Sequence, residues 1–256
     1  MNETGRSVAT PSPGIPSLAV RTPAARLGVA VVRELTDVIV TGVLKPGELL
    51  PPEAPLTAQF GVSRTVIRES IKRIEEKGLV TVTQGLGTRV SEPTEWNLLD
   101  PVVLSAMIDH DDALGILDEV SQVRASLEAT MAGDAAEKAT ESQVADLRDA
   151  LDDMRESLDD PDEFTIADRR FHSLVMRYSD NRLTGSIART LFNRALESRR
   201  YHGVDPDNAL ELATEAHQRI FNAIQSRDRE AASRAMFDHI EGSWQARRLP
   251  SGEAAS

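Results

Sequence analysis

The sequence predicts a mainly α-helical protein with two parts, an N-terminal winged helix-turn-helix domain and a C-terminal all-α antiparallel helical bundle. Apolar residues recur at three- and four-residue steps through most of the chain, which is typical of amphipathic helices. Two short β-type runs, 79–83 and 88–91, flank a glycine-containing tip and interrupt that pattern near residue 80. Four segments follow from these patterns. They are a disordered arm over 1–24, the winged helix over 25–92, a linker over 93–100 and an all-helical domain over 101–248.

The composition is that of a globular protein without disulfides. Hydrophobic residues make up 40% and charged residues 27% of the 256 residues, and there is no cysteine. No stretch has the roughly 18 uncharged apolar residues needed to span a bilayer. The N-terminus lacks the basic-then-apolar pattern of a signal peptide. We therefore expect a cytoplasmic protein without a membrane partner.

The negative charge is concentrated in the C-terminal part. The whole chain has a net charge of −12, but residues 25–92 hold 9 Lys/Arg and 8 Asp/Glu, whereas residues 93–256 hold 18 and 32. DNA binding depends on the local arrangement of cations, so the acidic total does not exclude it.

The N-terminal elements follow in order from local signals. Proline-rich composition predicts the disordered arm. A first helix begins near Arg26 and stops at Gly42, and a short second helix covers about 53–60. After a turn, Ser63 stands where an N-cap belongs, and the third helix runs to about Lys77. The hairpin then completes the outline of a winged helix.

The third helix has the features of a DNA-reading helix. Arg64 and Arg68 are four residues apart and share a face, and arginine can bond guanine O6 and N7 with two donors. Thr65 can bond a phosphate or touch a thymine methyl group. The alternative is that both arginines are solvated surface charges, which the preceding turn and the following hairpin disfavour.

The C-terminal part shows only helical signals. Breaks fall where Asp, Pro, Ser or Gly cluster. The predicted helices are 101–109, 112–138, 141–158, 162–179, 181–201, 208–226 and 229–247.

Three histidines and one aspartate in this part have the spacing of a metal site. Asp168 and His172 project from one helix face. His217 and His239 are each 11 residues from a reversal near Asp228, which is roughly 16 Å along either helix, so antiparallel packing brings both to one level. Their nitrogen and oxygen ligands suit a divalent ion such as Zn²⁺ or Ni²⁺. The alternative is that each histidine is a core residue with a hydrogen-bond partner.

The N-terminal part closely resembles the GntR family of bacterial regulators. The matching residues lie within 27–91. They are Gly42, Leu44, Pro46, Gly47, Leu49, Leu50, Pro51, Glu53, Leu56, Phe60–Thr65, Ile67–Glu69, Gly78–Val80, Gly85 and Gly87. The resemblance implies that the third helix and the wing tip contact double-stranded operator DNA. The residues so implied are Ser63, Arg64, Thr65, Val66, Arg68, Gln84 and Gly85.

One departure from the family pattern concerns the second helix. The family has an Arg-Glu pair directly after the glutamate, where this chain has Ala54 and Pro55. That arginine normally helps to hold DNA, so either affinity is lower or Arg26, Lys45 or the arm substitutes.

The C-terminal part resembles the FCD domain of the FadR-type branch of this family. The matching residues are Arg124, Leu127, Glu128, Asp168, Phe171, His172, Asn181, His217, Ile220, Ala223, Ile224, Asp228, Met236 and His239. The resemblance implies a metal held by Asp168, His172, His217 and His239, and a small carboxylate effector, for which Arg124 is the proposed partner. The alternative for Arg124 is a salt bridge to Glu128, four residues on.

We therefore expect an effector-controlled transcriptional repressor that binds its operator as a homodimer. Residues 96–101 resemble the corresponding segment of family members that respond to sugar acids. Lactate-type hydroxy acids and other small carboxylates are alternative effectors. Two alternatives remain: a metal-dependent hydrolase fused to a DNA-binding domain, and a metal-free regulator with structural histidines.

Overall fold

A computed structural model describes residues 23–198, 201 and 208–248 of the chain. Residues 1–22 of the predicted arm lie outside the described residues. The predicted fold class is confirmed, because helices dominate and the described residues contain one two-stranded sheet.

The N-terminal part has three helices followed by a hairpin, as predicted. The helices are α1 (Pro23–Val40), α2 (Glu53–Phe60) and α3 (Arg64–Glu76). Their apolar faces enclose a core in which Ile67, Ile74 and Leu79 are fully buried. The apolar stripe of α3 therefore faces inward, and its polar face is left on the surface.

The wing is a short antiparallel hairpin of β1 (Val80–Thr83) and β2 (Gly87–Val90). Val80 pairs with Val90 and Thr83 with Gly87, so the tip lies at residues 84–86. Gly85 and Gly87 have φ values of 80° and 94°, which only glycine adopts without strain.

The predicted linker folds back on the winged helix. A 3₁₀ turn covers Pro93–Glu95, and the indole of Trp96 donates to the carbonyl of Ser91. The next helix, α4 (Pro101–Asp109), begins at a cap where the Asp100 carboxylate accepts from the amides of Val102 and Val103. The connection is therefore ordered rather than extended.

The C-terminal part is an antiparallel bundle. Its further helices lie within a few residues of their predicted bounds. They are α5 (Gly115–Lys138), α6 (Glu141–Glu156), α7 (Pro161–Tyr178), α8 (Arg182–Glu197), α9 (Ala209–Gln225) and α10 (Arg229–Arg247).

The long helix α5 lies at the centre of this bundle. It packs against α7, α8, α9 and α10, and four of its alanines (Ala125, Ala132, Ala135 and Ala136) are fully buried. Small side chains let neighbouring helices approach closely, as where Gly133 faces Ser233 and Arg229 of α10. The facing sides of α5, α7, α9 and α10 enclose the buried polar groups described next.

Candidate functional site

The N-terminal end of α3 is exposed and capped. The hydroxyl of Ser63 accepts from the amide of Val66 at 3.4 Å, which fixes the start of the helix. Ser63, Arg64 and Thr65 are exposed, whereas Val66 is half-buried against the domain core. Three of the predicted DNA-contacting side chains are thus free to meet a groove, and Val66 faces partly inward.

Arg68 is exposed but tethered. Its Nε donates to Oε1 of Glu53 on α2 at 2.7 Å. Ala54 is exposed beside Glu53 at the start of α2, where the family pattern has an arginine. Lys45, one of the expected substitutes, is exposed as well, and the side chain of Arg26 lies outside the described residues.

The wing tip presents Gln84 and Gly85 to solvent. Leu86 beside them is 71% exposed, and the sequence interpretation had assigned it no role. Leu86 therefore lies outside the core of the domain.

In the bundle, the four predicted metal ligands come together. Asp168 and His172 lie on α7, His217 on α9 and His239 on α10, and one ligand atom from each lies within 4.8 Å of every other. Nε2 of His172 is 3.3 Å from Nε2 of both His217 and His239. Oδ1 of Asp168 is 3.2 Å from Nε2 of His217 and 3.9 Å from Nε2 of His172.

These separations fit a small divalent ion. Zinc-to-nitrogen bonds of 2.0–2.1 Å in tetrahedral geometry place neighbouring ligand atoms about 3.3–3.4 Å apart. Nε2 of His172 already has that spacing to Nε2 of both His217 and His239. The outer nitrogens also have partners, because Nδ1 of His172 faces Glu128 at 2.6 Å and Nδ1 of His217 faces the carbonyl of Ala213 at 2.8 Å. Protonation at Nδ1 leaves a lone pair on Nε2 for a metal.

Burial and neighbouring charges together give the three histidines different pKa values. Burial lowers the pKa of His217 to about 4 against the attraction of Asp168. Burial, with the neighbouring His217 and His172, lowers the pKa of His239 well below its ordinary value. Burial also acts to lower the pKa of His172, but the carboxylates of Glu128 and Asp168 outweigh it and raise that pKa. Two rings are therefore neutral at pH 7 and ready to donate lone pairs.

Arg124 lies beside this cluster and lines a cavity together with Asp168, His172 and His239. It is 2% exposed, and its Nε donates to Oε1 of Glu128 at 2.9 Å. Its Nη1 lies 3.2 Å from the hydroxyl of Tyr201, and its guanidinium stacks 4.1 Å from the ring centre of Phe192. The salt bridge that the alternative interpretation predicted is thus present, and Arg124 lines the cavity at the same time.

The cavity has a volume of about 260 Å³, which suits a small organic anion. Its polar lining includes Arg124, Asp168, His172 and His239. The sequence interpretation missed Phe192, Tyr201 and Arg247, which also line it, because no local motif marks them. A larger cleft of about 450 Å³ lies between α1 and α4, but among the described residues no cluster of metal-ligating side chains converges there.

No described helix is both long and apolar enough to cross a membrane. A helix-turn-helix with a wing, joined to a helical bundle that holds a polar cavity, is the architecture of a one-component DNA-binding regulator.

Comparison with known proteins agrees with that class. Residues 27–90 match the family of bacterial regulatory proteins called gntR, and residues 119–242 match the FCD domain. The chain belongs to the GntR family of transcriptional regulators and has the FadR-type architecture. It is an effector-controlled DNA-binding regulator, and the hydrolase alternative is set aside because the family and the relatives are regulators rather than enzymes.

Curated relatives extend over most of the chain. The galactonate operon transcriptional repressor of Escherichia coli K12 is 34% identical over 80% of this chain and 90% of its own length. The transcriptional repressor NanR of Cronobacter sakazakii is 33% identical, covering 88% and 89%. The solved structure of Lar, which controls expression of the Listeria monocytogenes agr system, covers 86% of this chain and 95% of its own. Its TM-score of 0.56 at 18% identity shows the fold alone.

Proposed function

We propose that the chain is a repressor whose operator affinity is set by a small carboxylate, bound beside a divalent metal ion in the C-terminal bundle. One observation carries this proposal: Nε2 of His172 has the spacing of a metal ligand to Nε2 of both His217 and His239, beside a cavity that a buried arginine also lines.

The metal is Zn²⁺ or Ni²⁺, and Asp168, His172, His217 and His239 hold it. When bound, the ion would supply a fixed positive charge that attracts the oxygens of a carboxylate. Arg124 supplies the second positive charge, and it pairs with carboxylates through two parallel N–H donors.

The effector is a sugar acid or a similar hydroxy acid. The name of the Escherichia coli relative refers to a galactonate operon, and the cavity is small and polar enough for such an acid. Ligand binding controls DNA affinity only if two arrangements of the winged helices, which differ in their affinity for DNA, also differ in their affinity for the ligand.

The DNA-contacting residues are Ser63, Arg64, Thr65, Val66, Arg68, Gln84 and Gly85. The regulator acts in the cytoplasm as a homodimer on a near-palindromic operator, because two-fold symmetry of the protein matches two half-sites about one helical turn apart. The winged helix over 25–92 reads DNA, and the bundle over 101–248 binds effector and forms the dimer. Sedimentation of the full chain, alone and with operator DNA, tests the dimer.

The deciding experiment combines elemental analysis with operator binding. Protein purified under metal-replete conditions is compared with His217→Ala and His239→Ala. We expect about one ion per wild-type chain and a large loss in both variants. D-galactonate, D-gluconate and L-lactate are then added to the operator complex, with and without chelator. Release of DNA by an acid only in the metal-loaded protein supports the proposal, whereas metal-free wild-type protein supports structural histidines instead.

A further inference from the structure

Glu128 contacts both a proposed metal ligand, His172, and the proposed carboxylate partner, Arg124. This side chain on α5 is 1% exposed, and its two carboxylate oxygens have different partners. Oε1 accepts from Nε of Arg124 at 2.9 Å, and Oε2 lies 2.6 Å from Nδ1 of His172. The sequence interpretation considered only the first of these contacts.

The contact with His172 orients a metal ligand. A carboxylate at Nδ1 requires the proton there and turns Nε2 toward His217 and His239. Carboxylates in this outer position fix the ring and raise the basicity of the ligating nitrogen.

The contact with Arg124 orients the anion partner. Glu128 and Tyr201 together hold the guanidinium over the ring of Phe192. That ring is also 5.1 Å from the ring of His172, so one aromatic side chain packs against both groups. An arginine has five N–H donors, and an incoming carboxylate competes with Glu128 for them.

We propose that Glu128 is a positioning residue that couples metal binding to carboxylate binding, an inference that rests on the function proposed above. An ion on Nε2 of His172 makes Nδ1–H a stronger donor and draws the Glu128 carboxylate toward the histidine. Arg124 is then less strongly engaged and pairs more readily with the effector. The two ligands bind cooperatively, and linkage requires each to tighten the other by the same factor.

The Glu128→Gln variant tests this coupling. The amide replaces one of the two carboxylate oxygens with an NH₂ donor, so it cannot accept at both positions, one facing Arg124 and the other facing His172. Zn²⁺ affinity is expected to fall by about 10- to 100-fold, the usual cost of losing an outer-shell partner. In chelator-treated protein, the tightest binder among D-galactonate, D-gluconate and L-lactate is expected to bind about tenfold tighter, because the competing buried charge is gone.

The diagnostic result is that the affinity for Zn²⁺ falls while the affinity for the acid rises. A side chain that only holds α5 against α7 would weaken both ligands when changed, and that outcome overturns the inference. Glu119→Gln, an exposed acid on the same helix, is the matched control and leaves both affinities unchanged. A wild-type protein that binds neither Zn²⁺ nor any of the acids contradicts the proposed function itself.

A measurement on the wild-type protein covers the case in which Glu128→Gln does not fold. In ¹⁵N-histidine-labelled, Zn²⁺-loaded protein, the Nδ1–H resonance of His172 is expected to shift when the acid is added, because Arg124 releases part of its hold on Glu128. An unchanged resonance at saturating acid overturns the coupling.

Discussion

Arg64 and Arg68 share the exposed face of α3, but only Arg68 is held by a neighbour. We expect Arg64→Ala and Arg68→Ala each to cost about 1–3 kcal/mol of operator binding if they read bases. The ion pair with Glu53 holds the Arg68 side chain in place before DNA arrives. Glu53→Gln is therefore expected to weaken binding too, by less than either arginine variant.

Fluorescence anisotropy at fixed salt with a selected operator measures these changes. Arg234→Ala, an exposed arginine on α10, is the control for a general loss of charge. If both arginine variants bind the operator with wild-type affinity, these side chains are solvated surface charges and α3 is not the helix that contacts the bases.

The buried histidines predict that the metal-free protein is most stable near pH 6.5. His217, with its pKa lowered to about 4, and His239 stay neutral in the folded state while the unfolded chain takes up protons below pH 6.5. Their contribution is lost as the pH falls toward 4, and for His217 it is on the order of 3 kcal/mol. His172 has a raised pKa, so its contribution is present below pH 6.5 and lost as the pH rises through the folded value.

Chemical denaturation of chelator-treated protein between pH 4 and 9 measures this profile. Bound Zn²⁺ replaces the proton on His172, so the loaded protein is expected to lack the alkaline decline. A metal-free profile that rises steadily to pH 9 would contradict the assigned protonation of His172.

Residues within one motif were predictable, and residues that meet only through the fold were not. The segment 63–68 combines a cap, two cations at one face and an apolar stripe, all of which are local. The meeting of His217 with His239 followed from helix geometry on either side of one turn. Phe192 and Tyr201 lie near the end of α8 and just after it, far along the chain from Arg124, and no sequence spacing signals their contact with that residue.

At the scale of elements, the junction between α3 and the wing leaves no space for a side chain at Gly78. Gly78 has a φ of 74°, and a Cβ there would lie 2.2 Å from the carbonyl oxygen of Glu95. Gly78→Ala must therefore displace the 3₁₀ turn in addition to adopting a strained backbone, and we expect a loss of about 2–4 kcal/mol of stability.

Gly42 is the matched control for that substitution. Its φ is 71°, but no heavy atom lies within 4 Å of the position that a Cβ would take. Gly42→Ala therefore bears only the backbone strain, about 1 kcal/mol. Equal thermal denaturation midpoints for the two variants would show that the turn at Glu95 does not press on Gly78.

Element bounds were predictable where a cap or breaker marks them. Asp228 caps α10, and Asp160 caps α7 at the predicted breaks. The start of α5 was predicted three residues early, because Leu114 takes a left-handed conformation that the sequence does not signal. The sequence also did not predict that residues 93–100 fold onto the winged helix. A short segment with a proline is typical of a linker, and the packing of Trp96 against the core of the winged helix has no local sequence signal.

At the scale of the whole molecule, α4 connects the reading part to the sensing part. Val103 is buried in the core of the winged helix, while Leu104 and Ile108 are buried in the core of the bundle. One short helix thus contributes to two cores, and it packs against α1 of the winged helix. A rigid element of this kind can carry a coupling free energy between two sites.

Two ion pairs between these parts differ in burial and therefore in expected effect. Nζ of Lys77 lies 2.6 Å from Oδ2 of Asp100, with both side chains less than one fifth exposed. Arg33 and Asp109 are 3.6 Å apart and are 71% and 43% exposed. Exposed pairs contribute little because water and salt screen them, whereas the Asp100 carboxylate also caps α4 and so ties the end of α3 to that helix.

We therefore expect Lys77→Met to change the response to effector and Arg33→Met to leave it intact. Breaking the Lys77 pair should reduce the effector-induced change in operator affinity by about 2- to 30-fold, the range of 0.5–2 kcal/mol seen for residues that modulate coupling. Effector affinity of the DNA-free protein should stay near the wild-type value, because Lys77 is not among the residues lining the effector cavity. Operator titrations at zero and saturating acid measure the ratio for each variant. Equal ratios for both variants and wild type would mean that the buried pair only stabilises the fold and that the signal passes to α3 by another contact.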